Sequence, residues 1–304
     1  MSNLSVNFLN YTLKNPLIAA SGTFGFGENY QKIFSADELG GMVLKGLTPE
    51  ARVGNDGIRL AETASGMLNS IGLQNPGLEY FESFILPSLK NVNNLRIANI
   101  NGKSIEDYEI LAARADTWEE IDMIELNISC PNVKEGGMAF GTIPEVAAEV
   151  TKRVKSLIHT KPLIVKLSPN AMDIGAVAIA VENAGANALS LINTLLGMAI
   201  DIKQKKPVLG NVFGGLSGPA IKPIALRMLW QVRQQTSIPI LAGGGIFNAT
   251  DAIEFLMAGA DALSIGTAFF SDPLVTQKIL KDLQNYMNQE NISSLQQIIG
   301  IAHL

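Results

Sequence analysis

The chain is short of the residues that build several common functional centres. It has one cysteine, Cys130, and two histidines, His159 and His303, among 304 residues. One thiol cannot form an internal disulfide, and structural zinc sites and iron–sulfur clusters usually take four ligands. We therefore expect no metal site and no histidine-based catalytic triad. A chain without disulfides suits a reducing compartment, so we predict a cytoplasmic protein.

An excess of positive charge is also absent, as are long apolar runs. Lys and Arg number 23 against 28 Asp and Glu, a net charge of −5 that argues against nucleic acid or anionic lipid as a partner. The longest uncharged stretch, residues 183–200, is interrupted by polar residues, and the first residues lack a signal-peptide pattern. We expect neither secretion nor a membrane span, and a small molecule or another protein as the partner.

The chain does contain a regular alternation of short apolar runs with longer segments of helical period. The runs predict eight strands: residues 17–20, 42–45, 96–100, 123–127, 163–167, 188–192, 240–243 and 262–265. The longer segments predict eight helices: residues 28–39, 78–90, 104–117, 144–158, 172–183, 220–235, 249–257 and 273–288. Ser104 with Asp107 resembles a capping box, Pro144 suits a first helical turn, and Gly185 and Gly259 suit helix ends.

Eight strand–helix units, with strands that are apolar on both faces, indicate a parallel sheet closed into a (β/α)8 TIM barrel. A doubly wound open sheet would use the same elements, but it seldom repeats the unit eight times without a break. No linker is visible, so we predict a single domain over residues 1–304. Residues 46–77 and 195–218 exceed ordinary connections and are expected to be long binding loops or lids over the carboxyl-end face of the barrel.

The predicted strand ends are polar, and in such a barrel the functional site lies at the carboxyl ends of the strands. Glycines cluster at residues 243–245, at residue 266 and in the loop 214–218. Glycine lets backbone amides approach an anion closely, so we favour a phosphate site over the alternative that these glycines only make tight turns.

Two lysines finish or nearly finish apolar strands, Lys45 and Lys166. Each could extend its ammonium to water, but two at one barrel mouth favour an anionic ligand. Asparagines at or near strand ends offer both donors and acceptors, which would match a pyrimidine-dione or an isoalloxazine ring. They are Asn69, Asn75, Asn99, Asn127, Asn132 and Asn193, of which Asn75, before Pro76, is equally well explained by a turn.

Cys130 follows a predicted strand by three residues and precedes Pro131, which keeps it out of helical geometry. A lone cysteine is more often a small buried apolar residue than a catalyst. Its place among the polar strand ends favours the second interpretation, because a nearby cation such as Lys45 would stabilise a proton-accepting thiolate.

Nine motifs, taken in order, resemble class 1 dihydroorotate dehydrogenases, flavoenzymes of pyrimidine biosynthesis, over nearly the whole chain. They are AASGTFG (19–25), LKG (44–46), MLNSIGLQNPG (67–77), NISCPNVKEGGMAFG (127–141), VKLSPN (165–170), INT (192–194), GGLSGPAIKP (214–223), GGGI (243–246) and GTA (266–268). GLQNPG and CPNVKEGG are most similar to the class 1B subfamily, in which this subunit binds FMN and works with a second subunit.

The resemblance implies a role for each site residue. The FMN phosphate would lie on Gly218, Gly244, Gly245, Gly266 and Thr267, and the flavin ring and ribityl chain on Ser21, Lys45, Gly46, Asn99, Asn127, Lys166 and Ile192. Dihydroorotate would contact Lys45, Asn69, Ser70, Ile71, Gly72, Leu73, Asn127, Asn193 and Thr194, with Asn132 nearby. Cys130 would be the general base for oxidation to orotate on the pathway to UMP.

The route of the electrons out of the site follows from the resemblance and from what the chain lacks. It has no strand-linked GxGxxG with a following acid for a dinucleotide, and one cysteine cannot hold a 2Fe-2S cluster. Class 1B resemblance implies a partner subunit that carries FAD and 2Fe-2S and relays electrons to NAD, in a heterotetramer built on a dimer of this chain. The alternatives are a fumarate-linked class 1A homodimer, a barrel that binds a phosphorylated metabolite without redox chemistry, and a noncatalytic scaffold.

Overall fold

The computed structural model describes residues 3–28, 30–129 and 140–303. A hairpin of β1 (Val6–Phe8) and β2 (Tyr11–Leu13) comes first. The barrel strands are β3 (Leu17–Ala19), β4 (Gly41–Val43), β7 (Leu95–Ile100), β8 (Met123–Asn127), β9 (Leu163–Lys166), β10 (Ala188–Leu191), β15 (Ile240–Gly243) and β16 (Ala262–Ile265).

These eight strands are parallel and close in the order β10-β15-β16-β3-β4-β7-β8-β9. Their side chains are mostly buried on both faces, because the inner face fills the barrel and the outer face packs against helices. The eight predicted strands and the (β/α)8 barrel are confirmed.

Seven of the predicted helical segments are confirmed. The α-helices are α1 (Leu78–Tyr80), α2 (Ile105–Asp116), α3 (Pro144–Lys155), α4 (Ile174–Asn183), α5 (Lys222–Arg233), α6 (Ala249–Met257), α7 (Ala268–Ser271) and α8 (Val275–Gln289). The segment that starts with α1 continues as a π-helix (Phe81–Ile85) and a 3-10 helix (Leu86–Asn91). Pro87 has no N–H to donate, which disfavours an ordinary α-helical turn there.

The helix ends largely follow their sequence signals. The Ser104 hydroxyl accepts a hydrogen bond from the Asp107 N–H, while the Asp107 carboxylate accepts one from the Lys103 N–H instead of from Ser104, so the capping box is only half formed. Pro144 is the first residue of α3. Gly185 and Gly259, just beyond α4 and α6, have φ of +106° and +99°, the left-handed conformation that ends many helices.

The predicted helix over residues 28–39 is wrong. The described part of this segment forms two separate 3-10 turns, Tyr30–Lys32 and Ala36–Glu38. Ser35 lies between them with an extended backbone, and its hydroxyl accepts a hydrogen bond from the Asp37 N–H. A serine that bonds its own neighbouring backbone competes with helix continuation, and here it caps a new turn.

The two long segments expected to be loops contain strands of their own. They are β5 (Leu60–Thr63), β6 (Gly66–Asn69), β11 (Leu195–Met198), β12 (Ile200–Asp201), β13 (Lys206–Pro207) and β14 (Phe213–Ser217). Four of them form an antiparallel sheet in the order β11-β14-β6-β5, while β12 pairs with β13. The two segments therefore pair with each other, and residues from both reach the mouth of the barrel.

Among the described residues, no helix combines the length and apolar character that crossing a bilayer requires. The barrel interior is mainly aliphatic but includes buried polar side chains, among them Asn99, Glu125 and Ser190. Buried polar groups need partners, and these lie directly beneath the candidate site.

Candidate active site at the carboxyl end of the barrel

A cavity of about 600 Å³ opens where the barrel strands end, and each of the eight barrel strands contributes lining residues, either within the strand or one to two residues beyond its end. All predicted site residues that the structure describes line it. They are Ser21, Lys45, Gly46, Asn69, Ser70, Ile71, Gly72, Leu73, Asn99, Asn127, Lys166, Ile192, Asn193, Thr194, Gly218, Gly244, Gly245, Gly266 and Thr267. The predicted residues Cys130 and Asn132 lie outside the described residues. The structure thus brings the described candidates together, while their binding roles stay predictions.

One side of the cavity is built from closely packed glycine backbone. Gly218, Gly244 and Gly245 have φ of +102°, +126° and +90°, values that side-chain-bearing residues rarely adopt. A Cβ added at Gly245 would lie 2.9 Å from the Gly218 carbonyl oxygen and 2.9 Å from the Lys222 amide nitrogen. We call Gly218, Gly244 and Gly245, with Gly266 and Thr267, the glycine cradle.

A polar contact that sequence reasoning missed braces this cradle. One oxygen of Asp251, near the start of α6, accepts a hydrogen bond from the Phe247 N–H at 2.9 Å. The other oxygen accepts one from Lys222 Nζ, at the start of α5, at 2.8 Å. Hydrogen bonds to Asp251 and then Glu254 raise the pKa of Lys222. The loop after β15 is therefore tied to two helices.

Lys45 also lines the cavity, and no acidic side chain among the described residues pairs with it. Burial lowers the pKa of Lys45, and the positive charge of Arg59 lowers it further. Within the described part of the chain, Lys45 Nζ forms no hydrogen bond or ion pair. An anionic ligand in the cavity would supply the missing partner.

Lys166, by contrast, has polar neighbours. Its Nζ lies 3.4 Å from the Ser21 hydroxyl and 3.9 Å from Oε1 of Glu125. The Glu125 carboxylate accepts hydrogen bonds from Asn99 Nδ2 at 2.5 Å and from the Ser190 hydroxyl at 2.7 Å. Sequence reasoning missed Glu125 and Ser190, although a charged residue between two apolar residues in the middle of the MIELN strand was a usable signal.

A second polar network links two asparagines, one at the end of β8 and one just after β10. The Ser129 N–H and hydroxyl both donate to Asn127 Oδ1, at 3.2 and 2.6 Å, and Asn193 Nδ2 donates to the Ser129 hydroxyl at 2.7 Å. Asn193 Oδ1 accepts from the Thr194 N–H at 2.8 Å. These bonds orient both amide groups at the cavity wall before any ligand binds.

The segment after β6 adds an unsatisfied polar group. Ser70 is buried, and its hydroxyl has no hydrogen-bond partner among the described residues. Buried hydroxyls are normally paired, so this one marks a place for a ligand or water. Asn75, for which the sequence allowed either ligand binding or a turn, does not line the cavity. Its side chain forms hydrogen bonds with Thr48 and with the Gly77 N–H, so it stabilises the turn.

The described cavity lining carries only positive formal charge. Two further cations that sequence reasoning missed, Arg52 and Lys103, join Lys45 and Lys166 there, and no Asp or Glu is among the described lining residues. Because the whole chain has a net charge of −5, this cavity is a local exception that favours anionic ligands. Across the described ranges, no group of three or more His, Cys, Asp or Glu is arranged to hold a metal ion.

Comparison with known proteins points to one family. A sequence model described as "Dihydroorotate dehydrogenase" matches residues 3–287. The chain is 52% identical over 304 residues to the "Dihydroorotate dehydrogenase B (NAD(+)), catalytic subunit" of Brachyspira hyodysenteriae, covering 100% of both chains. It is 50% identical over 300 residues to the protein of the same name from Bacteroides thetaiotaomicron, covering 99% of each.

A solved structure shares the fold. It is titled "Crystal structure of DHODH in complex with ferulenol from Eimeria tenella" and is similar with a TM-score of 0.83. The match covers 99% of this chain and 89% of that chain at 22% sequence identity. At that identity the likeness shows a common barrel architecture and nothing finer.

Proposed function

The chain belongs to the dihydroorotate dehydrogenase family, and we propose that it is the FMN-binding catalytic subunit of an NAD-linked, class 1B enzyme. It oxidises dihydroorotate to orotate on the pathway to UMP. The observation that carries the proposal is the convergence on one cavity of all the described residues to which the resemblance gives a binding role, from eight strand ends and two long segments.

The residues present fit FMN, which has an anionic phosphate and a planar ring with alternating amide groups. An added Cβ would lie 2.6–2.9 Å from the nearest atom at Gly218, Gly244 and Gly245, so this part of the glycine cradle has room for backbone only, which suits backbone recognition of the phosphate. The flavin ring and ribityl chain match a mixed set of donors, acceptors and one apolar side chain. That set is Ser21, Lys45, Gly46, Asn99, Asn127, Lys166 and Ile192.

The remaining part of the cavity suits dihydroorotate, a small carboxylate with ring amides. The uncompensated ammonium of Lys45 would bind the carboxylate, and the unpaired Ser70 hydroxyl would gain a partner. Oriented amides would bind the ring. The proposed substrate contacts are Lys45, Asn69, Ser70, Ile71, Gly72, Leu73, Asn127, Asn132, Asn193 and Thr194.

The reaction removes a proton from C5 of dihydroorotate and a hydride from C6, so it needs a base and an electron acceptor. Bound FMN supplies the acceptor for the hydride. Cys130 takes the C5 proton, and Lys45 with the asparagines aligns the substrate for both transfers. Lys166 places positive charge where negative charge develops when the flavin is reduced.

We propose that the electrons leave through a second subunit. The chain's one cysteine cannot supply the ligands of a 2Fe-2S cluster, so FAD and 2Fe-2S belong to the partner, which reduces NAD. The assembly is a heterotetramer built on a dimer of this chain. We place it in the cytoplasm, where a lone thiol stays reduced.

The test of the proposed function is reduction of the bound flavin by dihydroorotate, followed by stopped-flow absorbance. Cys130→Ala should keep its flavin but be reduced at least about 100-fold more slowly, the lower end for loss of a general base. Reduction by dithionite should be equally fast in both proteins and serves as the control for flavin access.

Two results would contradict the proposal. Near-normal reduction of Cys130→Ala by dihydroorotate would remove Cys130 from the mechanism. Wild-type protein that stays colourless after incubation with FMN would reject the flavoenzyme and support a barrel that binds a phosphorylated metabolite without redox chemistry.

A further inference from the structure

Glu125 is a buried carboxylate that the chemistry proposed above does not use. It lies in the middle of β8, two residues before Asn127 on the same face, and its side chain is only 1% exposed. Removing a carboxylate from water is costly unless charge and hydrogen bonds replace the solvent. A carboxylate at this depth therefore needs polar partners from the surrounding strands.

Three groups surround this carboxylate, from the adjacent strands β7 and β9 and from β10, the next strand beyond β9. In the barrel register Asn99 of β7 lies opposite Glu125, while Lys166 of β9 lies opposite Asn127 and is paired with Ser190 of β10. Asn99 and Ser190 donate hydrogen bonds to the two carboxylate oxygens, and Lys166 Nζ lies 3.9 Å from Oε1. The carboxylate thus has two neutral donors and one cation.

Two polar groups of other segments lie near the Lys166 ammonium. The Lys166 side chain is 12% exposed, and its Nζ donates a hydrogen bond to the Ser21 hydroxyl at 3.4 Å. Oε1 of Glu125, at 3.9 Å, is too distant for a hydrogen bond and attracts the ammonium by its charge. Lys166 lines the cavity, whereas Glu125 does not, so the carboxylate acts on a ligand through the lysine.

Stability alone does not account for this pair. A buried ion pair is often no more stabilising than well-packed apolar residues of similar size, and the rest of the barrel interior is mainly aliphatic. Lys166 lines the cavity while Glu125 lies behind it, so a change in the net charge of the pair would act on a ring bound there.

We propose that Glu125 is a positioning residue that holds the Lys166 ammonium against the flavin and, by offsetting its charge, sets the flavin's reduction potential. The inference rests on the proposed function, since it requires FMN in this cavity. Glu125 and Lys166 together are neutral. Loss of the carboxylate leaves one net positive charge beside the flavin, and loss of the lysine leaves one net negative charge.

The signs of the expected effects follow from this charge count. Positive charge stabilises the more negative, reduced flavin, so Glu125→Gln should raise the reduction potential above the wild-type value. Lys166→Gln should lower it. The double variant restores a net charge of zero and should lie nearer to wild type than either single variant, which is a coupling that independent structural damage would not produce.

The experiment measures the potential of the FMN-loaded protein by equilibration with a reference dye, with flavin occupancy recorded for each variant. Glu125→Gln is close in size and can still bond Asn99 and Ser190. The matched control is Glu182→Gln: Glu182 accepts a hydrogen bond from Thr236 at 2.5 Å and does not line the cavity. It should leave the potential unchanged.

Glu125→Asp is a second variant for the case in which Glu125→Gln does not fold. It keeps the charge but withdraws it from Lys166, so a smaller rise is expected. An unchanged potential in either folded, FMN-loaded variant overturns the inference while leaving the proposed function intact. A wild-type protein that takes up no FMN overturns the proposed function, and the role of Glu125 falls with it.

Discussion

At the scale of single residues, the two lysines of the cavity differ in what surrounds them. Lys166 has the Glu125 carboxylate and the Ser21 hydroxyl as neighbours. Lys45 has no such partner within the described ranges, and burial, with the charge of Arg59, lowers its pKa. The Lys166 ammonium therefore has polar partners within the protein itself, whereas we expect the Lys45 ammonium to gain its partner when an anionic ligand binds.

This difference predicts a pH dependence of ligand binding. Because its pKa is lowered, Lys45 loses its proton at a lower pH than an ordinary lysine, and the neutral amine no longer attracts a carboxylate. Orotate affinity should fall as pH rises through that pKa, by about 10- to 100-fold, the value of a charge-assisted hydrogen bond. Titrations of the flavin absorbance with orotate at a series of alkaline pH values measure it.

Lys45→Arg provides the control, since arginine stays protonated throughout this range. The fall in affinity should flatten in that variant. Wild-type affinity that does not change with pH, or a fall that persists unchanged in Lys45→Arg, would show that another group binds the substrate carboxylate.

At the scale of secondary-structure elements, the arrangement of Gly218, Gly244 and Gly245 in the glycine cradle depends on three elements. The turn after β15 supplies Gly244 and Gly245, the chain before α5 supplies Gly218, and α6 supplies Asp251, whose carboxylate accepts hydrogen bonds from both Phe247 and Lys222. None of these elements could form a phosphate site alone. Their packing leaves no room for a Cβ at Gly245.

A methyl group at Gly245 should therefore impair FMN binding. Gly245→Ala adds left-handed backbone strain of about 1–3 kcal/mol and a collision with backbone atoms of Gly218 and Lys222. We expect a substantial loss of FMN affinity, measured by fluorescence quenching on titration of the apoprotein.

Gly300→Ala is the matched control. Gly300 has φ of +74°, no atom lies within 4 Å of an added Cβ, and the residue does not line the cavity. Gly300→Ala should lower the thermal stability of the protein, because alanine at this position meets a similar backbone strain, while its FMN affinity stays at the wild-type value. Equal FMN affinity in both variants would argue against a phosphate site at the cradle.

At the scale of the whole molecule, the charge distribution and the cysteine count both bear on how this chain interacts with other molecules. The chain as a whole is acidic, but every charged residue in the described lining of the cavity is positive, which favours entry of anions. In our proposal this chain has no second redox centre to accept the electrons taken up by the flavin, so another subunit must accept them.

The single domain over residues 1–304 stays a prediction.

The isolated chain should accordingly oxidise dihydroorotate with an artificial dye but reduce fumarate slowly and NAD not at all. Adding the partner subunit should start NAD reduction, and light scattering should give a complex with two copies of each chain. Absorbance assays with each acceptor measure the activities, and flavin and iron analysis locates the cofactors. Brisk fumarate reduction by the chain alone would indicate a class 1A enzyme instead.

Much of the barrel followed from local sequence. Buried parallel strands are apolar runs whatever their partners, so all eight were found, and helix signals such as Pro144 and Gly259 act within one turn. The helix predicted at residues 28–39 failed because Ser35 bonds its own backbone and interrupts a pattern that otherwise has helical period.

The candidate site was predictable where position along a strand decides function. In a parallel barrel all strand ends meet at one face, so polar residues at those ends were bound to converge, and those that the structure describes line one cavity. Only the tertiary structure decided which buried groups meet. Glu125 contacts Lys166 and Ser190 across strands, and residues 66–69 pair with a strand about 150 positions later, because long-range register depends on packing that no local pattern records.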